Sequence, residues 1–408
     1  MLGSKRGADM IKICEKIETV ELVAICERLE LHMEQLKSKC GLQGVAFYSD
    51  FDEFIEHDMD AVILANSADQ HAAFAIKSMQ KGKHVLSEVL PVQTLKEAVE
   101  LIEAVEATGK IYAYAENFCY MRATYEMKKL YQAGKIGEFE YGEGEYIHNC
   151  EPMWEKLTYG DKNHWRNRMY ANFYCTHSIG PLIHITGLRP VLVSGIEGGM
   201  MERHMRVGAA GGQYGIEMIT LENGGMIKSL HGELYKKSIW FSVYGSKGRM
   251  ESAREDAKQG EMKKIYVNAD AYSGEYKEEK LEVYEPEPSF PEITSNGVHS
   301  ADFGVVYHFV KKILGDDDAD IIDVYEAMDM FLPGIFAYRS VLNGGVPQEI
   351  PNLRDKDVRD KYREDVMCVD ENVAGEQKIP SFSKGNYDID DKVYETVKQK
   401  WLNGLEEK

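Results

Sequence analysis

The sequence predicts a unit with a doubly wound parallel α/β sheet, followed by an α+β unit built on a large, mainly antiparallel open sheet. Three observations carry this. Residues 1–120 alternate short β-branched runs with helical stretches, the pattern of a parallel sheet wound on both faces. Beyond residue 136, strand-like segments follow one another, often ending in glycine pairs. At 408 residues, with 44% hydrophobic and 28% charged content, the chain can bury two cores.

In chain order, the strands of the first unit are expected at Val20–Cys26, Gly44–Tyr48, Ala61–Ala65, His84–Leu86 and Ile111–Ala115. A helix is expected from about Asp69 to Lys81, stopping at Gly82. The clearest helix is Thr94–Thr108, where Leu95, Val99, Ile102 and Val105 recur at three- and four-residue steps. Thr94 and Glu97 form a capping box before it and Gly109 follows it. A sheet of this kind begins with a strand that runs into a glycine-rich turn, but here the chain opens at the turn itself, Leu2–Gly7, with helical residues to about Lys16. The first strand is therefore expected to be missing, and the true start to lie upstream. Antiparallel strands are expected at Glu138–His148, Val191–Gly198, Gly215–Glu222, Gly225–Leu234 and Lys237–Tyr244. Helices follow at Ser300–Leu314 and Val324–Leu342. The division expected is 1–120, 121–351 and an acidic arm, 352–408, wrapping or partly disordered and ending in a helix at Lys392–Leu405.

A net charge of −20 argues against nucleic acid, which needs clustered Lys and Arg. No apolar run reaches the roughly 18 residues of a membrane span. The N-terminus has no apolar signal core. Seven cysteines, Cys14, Cys26, Cys40, Cys119, Cys150, Cys175 and Cys368, show no paired spacing, so no metal and no disulfide framework is expected, and the cytoplasm is the expected compartment.

The glycine turn offers free N–H groups at a helix start, suited to a pyrophosphate, although Gly3 and Gly7 do not meet the G-x-G-x-x-G spacing. Glu27 ends a strand about 20 residues later, where an acid binds ribose hydroxyls and favours NAD over NADP. Arg28 beside it weakens that preference.

Val62–His71, Lys83–Leu90 and Ala115–Tyr120 resemble segments of the glucose–fructose oxidoreductase / inositol dehydrogenase (Gfo/Idh/MocA) family, with similarity over residues 1–350, including Asp323-Val-Tyr-Glu-Ala-Met. Sugar dehydrogenases of that family carry Lys after the Glu of G-K-H-V-x-x-E-K-P, where it serves the hydroxyl being oxidised. Here Val89 follows Glu88. The pattern is closer to glycoside hydrolase family 109, the NAD-dependent α-N-acetylgalactosaminidases, with Leu90 where that branch shows Pro. Gly144-Glu-Tyr-Ile-His148, His164-Trp-Arg166 and Asn172–Pro181 resemble further segments of the branch, with Cys175 in place of Pro.

The resemblance implies a Rossmann-type first unit holding NAD. Ser4, Arg6 and Gly7 match the phosphate end, Glu27 the ribose, and Asn66, His71, Glu88, Asn117 and Trp165 the rest of the cofactor site. It implies Tyr174, His177, Tyr146 and His148 as catalytic residues. Tyr146 and His148 share a strand face, and a Tyr beside a His can pass a proton near neutral pH. Arg166, with Tyr146 and Tyr174, would grip substrate hydroxyls or an acetamido carbonyl, while His184 and His204 read as structural. The implied reaction is glycoside cleavage by transient oxidation at C3, elimination at C1, water addition and re-reduction. Two other readings stay open: a sugar oxidoreductase with net hydride transfer, and a degenerate dinucleotide-fold sensor or partner subunit. A carbohydrate substrate and a homo-oligomer are expected.

Overall fold

Two compact units, each assembled from three chain segments, make up the computed structural model, which describes residues 1–39, 42–255, 262–269, 281–290, 300–385 and 387–406. The first comprises 1–125, 287–328 and 353–365, and the second 126–286, 329–352 and 366–408. The sequence reading drew single boundaries at 120 and 351. The units interleave instead because later segments bond back to the first: Tyr114 N–H donates to the Ile322 carbonyl, and buried Arg359 pairs with Glu106 at 2.9 Å.

In the first unit, strands β1 (Ala24–Cys26) and β2 (Ala46–Tyr48) pair in parallel, as do β3 (Ala61–Leu64), β4 (His84–Ser87) and β5 (Tyr112–Tyr114). The slot between β1 and β3, expected to be empty, holds Met1–Gly3. Leu2 bridges both Cys26 and Leu64, and Gly3 N–H donates to the Cys26 carbonyl at 2.9 Å. Three residues thus stand where a central strand belongs, and the order runs β2-β1-Leu2-β3-β4-β5. The intervening helices are α1 (Ser4–Cys14), α2 (Glu30–Lys39), α3 (Phe51–Ile55), α4 (His71–Gln80) and α5 (Leu95–Thr108). Thr94 caps α5 by accepting the Glu97 N–H, and Gly109 closes it at φ +62°. The return bond of the capping box is shared: the Glu97 carboxylate meets the Thr94 backbone and also accepts from Gln93 N–H at 2.6 Å.

The second unit is a nine-stranded sheet. Its strands are β6 (Phe139–Ile147), β7 (Pro190–Glu197), β8 (Tyr214–Leu221), β9 (Met226–Gly232), β10 (Ser238–Gly245), β11 (Gly248–Ser252), β12 (Ile265–Asn268), β13 (Leu281–Tyr284) and β14 (Gln348–Glu349). They run in the order β13-β12-β11-β10-β6-β9-β8-β7-β14, antiparallel except for β6 beside β9. Helix Thr176–Thr186, buried from Thr176 to Ile185, lies across the middle strands. It comes close because Gly144 has no side chain: a Cβ there would lie 1.7 Å from the Ser178 carbonyl oxygen. Gly180 and Pro181 lie inside this helix. The arm is ordered where described. Its residues 366–406 bind the second unit through Arg168–Asp370 and the Tyr338 hydroxyl on the Pro380 carbonyl, and end in helix Asp391–Glu406. Cys40 lies outside the described residues.

Candidate functional site

Gly3 takes φ +85° directly before α1, with its α-carbon against the Ala65–Asn66 backbone; a Cβ would sit 2.5 Å from the Ala65 oxygen. No side chain caps α1 and its first turn carries no acid, so its leading N–H groups suit an anion. Gly7 lies in that first turn beside the Met1 side chain. Glu27 follows β1, buried, its carboxylate accepting the Leu29 N–H at 2.8 Å. Asn66, after β3, has a buried Oδ1 with no partner among the described residues. These features fit a dinucleotide.

Arg6 does not stand open toward a phosphate. Its guanidinium pairs with Glu88 at 2.6 Å and with both oxygens of Asp302 at 2.7 and 3.1 Å, and Asn117 Nδ2 donates to the same Asp302 carboxylate at 2.7 Å. Burial pushes the Glu88 carboxyl up, against the pull of Arg6. His71 Nδ1 meets the Leu90 carbonyl at 2.8 Å, and burial draws its imidazole down. Asp302 was not found from the sequence; it is 296 positions from Arg6, and only the returning helix Ser300–Ile313 brings it there.

The second unit holds a cavity of about 180 Å³ at the C-terminal ends of β6 and β9. Those strands run in parallel with Tyr146 opposite His231, and His148 N–H continues the ladder to the Gly232 carbonyl at 2.9 Å. Side chains two apart share a face, so Tyr146, His148, His231 and Glu233 all project to one side and line the cavity. Tyr174 and Arg166 complete this polar wall, while Met153, Trp154, Leu157 and Ala209 make an apolar one.

The four expected catalytic residues come together. The Tyr146 hydroxyl and His148 Nδ1 share a hydrogen bond of 3.0 Å. The His177 ring packs edge-on to Tyr146 at 4.6 Å and to Tyr174 at 5.2 Å between centroids. His177 itself is not among the wall residues. Burial, with Lys237, His177 and Arg166 nearby, draws the His148 imidazole down to about 4, so it is neutral and can accept a hydrogen bond from the Tyr146 hydroxyl. The Arg166 guanidinium sits 4.5 Å from the Trp165 ring centre and 5.3 Å from that of Tyr174. Trp165, matched to the cofactor by sequence, belongs to this second unit.

Residues missed by sequence reasoning fill out the wall. Glu233 is pushed up to about 7 by burial, although Arg166 and Arg203 draw it down. His204, read as structural, and Gln213 also line the cavity. The signal was present along β9 and just past it: Ser229, His231 and Glu233 stand two apart on the buried face that begins with Ile227. Beneath the wall, His231 Nε2 meets the Ala171 carbonyl at 2.8 Å, Ser229 meets Ser178, and Asn172 donates to fully buried Glu217 at 3.2 Å. Burial pushes Glu217 up to about 8, which keeps it a neutral acid. These bonds pin the turn that carries Tyr174 to β8 and β9.

Residues 1–116 match the family model described as "Oxidoreductase family, NAD-binding Rossmann fold" (GFO_IDH_MocA). The chain is thus an enzyme with an NAD-binding Rossmann unit. Over most of its length it is similar to a "Glycosyl hydrolase family 109 protein" of Solibacter usitatus, 24% identical and covering 85% of this chain and 86% of the relative. It is similar also to an "Alpha-N-acetylgalactosaminidase" of Bacteroides fragilis, at 25% identity over 85% and 89% of the two chains. Among solved structures, an oxidoreductase from Agrobacterium radiobacter in complex with NAD+, L-tartaric acid and magnesium superposes with a TM-score of 0.70 at 13% identity, covering 86% of this chain and 97% of that one. A scyllo-inositol dehydrogenase from Lactobacillus casei gives 0.65 at 18% identity, covering 86% and 97%. These last two establish the fold alone. No helix among the described residues is long and apolar enough to cross a membrane.

Proposed function

We propose that the chain is an NAD-dependent glycosidase acting on a glycoside such as an α-N-acetylgalactosaminide. The observation that carries this reading is the convergence of Tyr146, His148 and Tyr174 on one cavity, with His177 packed against both tyrosines. Val89, which cannot move a proton, stands where a dehydrogenase of the family has its lysine.

The cofactor, held by the Gly3 turn, the start of α1, Glu27 and Asn66, supplies a reversible hydride acceptor for C3 of the sugar when bound. The proton work falls to the chain itself. Tyr174 takes a proton at the sugar, from the C3 hydroxyl or from C2, where the C3 ketone makes it acidic. The electron pair released at C2 forms the C1–C2 double bond and expels the aglycone, which His177 protonates. His177 then takes a proton from the water that adds at C1, and Tyr174 returns a proton to C2, restoring the saturated C1–C2 bond. Tyr146 and neutral His148 orient the substrate or relay that proton, and Arg166 grips a hydroxyl or an acetamido carbonyl. Hydrolysis is the net result, unlike the two-carboxylate route of most glycosidases.

The test is turnover of 4-nitrophenyl α-N-acetylgalactosaminide in heavy water by the NAD-loaded protein. Aglycone release without net NADH and with deuterium at C2 is expected. NADH accumulating with the sugar intact would make the chain a net sugar oxidoreductase. Neither product would leave the non-catalytic reading.

A further inference from the structure

The cavity wall carries a second polar cluster apart from the tyrosines. Gln213 immediately precedes β8 and Glu233 follows β9, and these strands pair antiparallel with Tyr214 opposite Gly232. The two residues therefore face each other where the ladder ends. Glu233 N–H donates to the Gln213 carbonyl at 3.0 Å, and Gln213 Nε2 donates to the Glu233 carbonyl at 3.1 Å. The second bond fixes the amide: its nitrogen is engaged, and Oε1 is left buried with no partner among the described residues. His204, on the short helix Glu202–Met205, places Nε2 at 3.6 Å from the Glu233 carboxylate, too far for a hydrogen bond, and it too is buried without a partner. All three residues line the cavity beside the Trp154 ring and Ala209.

Buried polar atoms in folded proteins are paired with protein, water or ligand. Here the Gln213 amide oxygen and the His204 imidazole nitrogen have no partner among the described residues, and both lie beside the Glu233 carboxyl, which meets the Cys150 backbone and is drawn on by Arg166 and Arg203. An anion would bring a further lone pair against Gln213 Oε1. A purely apolar group would leave the amide oxygen and the imidazole nitrogen unsatisfied. Two neighbouring O–H donors on a ring whose C–H face rests on the apolar wall satisfy them.

We propose that Gln213, Glu233 and His204 form a hydroxyl-reading subsite that takes two adjacent hydroxyls of a sugar ring and so determines which sugar binds. This rests on the reading of the cavity as a carbohydrate site, and it extends that reading to specificity residues outside the Tyr/His set.

The experiment is calorimetric titration of the full-length, NAD-loaded protein with methyl α-N-acetylgalactosaminide and its 3-, 4- and 6-deoxy analogues. Wild type is compared with Gln213→Leu and the isosteric Glu233→Gln. The expected result is a loss of about tenfold for the parent sugar in each variant, shrinking to about twofold for the analogue that already lacks the hydroxyl which that variant no longer reads, the two variants singling out adjacent ring positions. Variants that bind like wild type, or that lose equally on every analogue, would overturn the subsite. Aglycone release by wild type is followed in parallel. Binding with the expected coupling but no release upholds the subsite and sinks the glycosidase reading. Release with unaltered binding in the variants sinks the subsite alone. A wild type that binds none of the four sugars overturns both.

Discussion

The two polar clusters of this enzyme solve the problem of burial in opposite ways. In the first unit, Arg6 meets Glu88 and Asp302 at 2.6–2.7 Å, its charge opposing the upward push of burial on Glu88, and Asn117 adds a donor to the Asp302 carboxylate. In the second unit the cavity groups give up charge: His148, His204 and His231 are drawn down to about 4, and Glu233 is pushed up to about 7, chiefly by burial. A paired guanidinium and carboxylate hold a geometry because breaking the pair strands a charge. A neutral imidazole accepts a hydrogen bond without stranding a charge, and a half-protonated carboxyl such as Glu233 exchanges protons readily near neutral pH. The contrast matches a division of labour in which the first unit holds and the second reacts.

The largest effect that sharpens this division is on turnover. Tyr174→Phe and His177→Gln should each lower aglycone release by about a thousandfold while leaving NAD affinity within twofold, measured by steady-state kinetics and by calorimetry on the same preparations. A parallel loss of NAD affinity would break the division. Next is the close approach that builds the cavity. Gly144→Ala should cost about 3 kcal/mol in urea denaturation, because its methyl would be forced into the backbone of the helix behind it. A variant of wild-type stability would mean that the helix and strand can separate freely.

The two units also differ in how much of them the sequence disclosed. Strand–helix alternation, the Thr94 cap and Gly109 are local signals, and the parallel sheet was legible from them. The contents of the central slot were not, because Met1–Gly3 is too short to show any period. Tyr146, His148, Tyr174 and His177 were legible because each lies in a short motif. Gln213, Glu233 and Asp302 were not, since their roles depend on pairing at the end of the β8–β9 ladder and on a helix returning from 296 residues away. Arg6 was legible as a motif residue, but its partners are a property of the fold. His204 was passed over because a lone buried histidine is usually structural; only the cavity gives it a second role.

A smaller effect concerns the neutral network under the cavity wall. Folding raises the Glu217 carboxyl from its ordinary value to about 8, so the folded state holds that proton more tightly than the unfolded chain does. The stability linked to it is full at acidic pH and is lost as pH climbs from the ordinary carboxylate range toward 8. Glu217→Gln keeps an acceptor for Asn172 and removes the titration. It should match wild type at pH 5 and exceed it by about 2 kcal/mol at pH 8, read from denaturation midpoints across that range. Identical pH slopes in the two proteins would show that Glu217 is ionised in the fold and that the network is held by charge after all.

The smallest expected effect falls on the charged cluster and tests what Arg6 is for. Asp302→Asn keeps the shape of the side chain and one acceptor for Arg6 but removes the charge that makes the two-point pair strong. If the pair fixes the first turn of α1, where the N–H groups suited to a pyrophosphate lie, loosening it should weaken NAD binding about tenfold in calorimetry, with Glu88 still holding the guanidinium at one nitrogen. If NAD binds more tightly instead, Arg6 is a phosphate ligand that Asp302 restrains, and the first unit does more than hold. Either result separates the two functions of a half-buried arginine, since a structural anchor and a restrained ligand respond to the loss of one carboxylate with opposite signs.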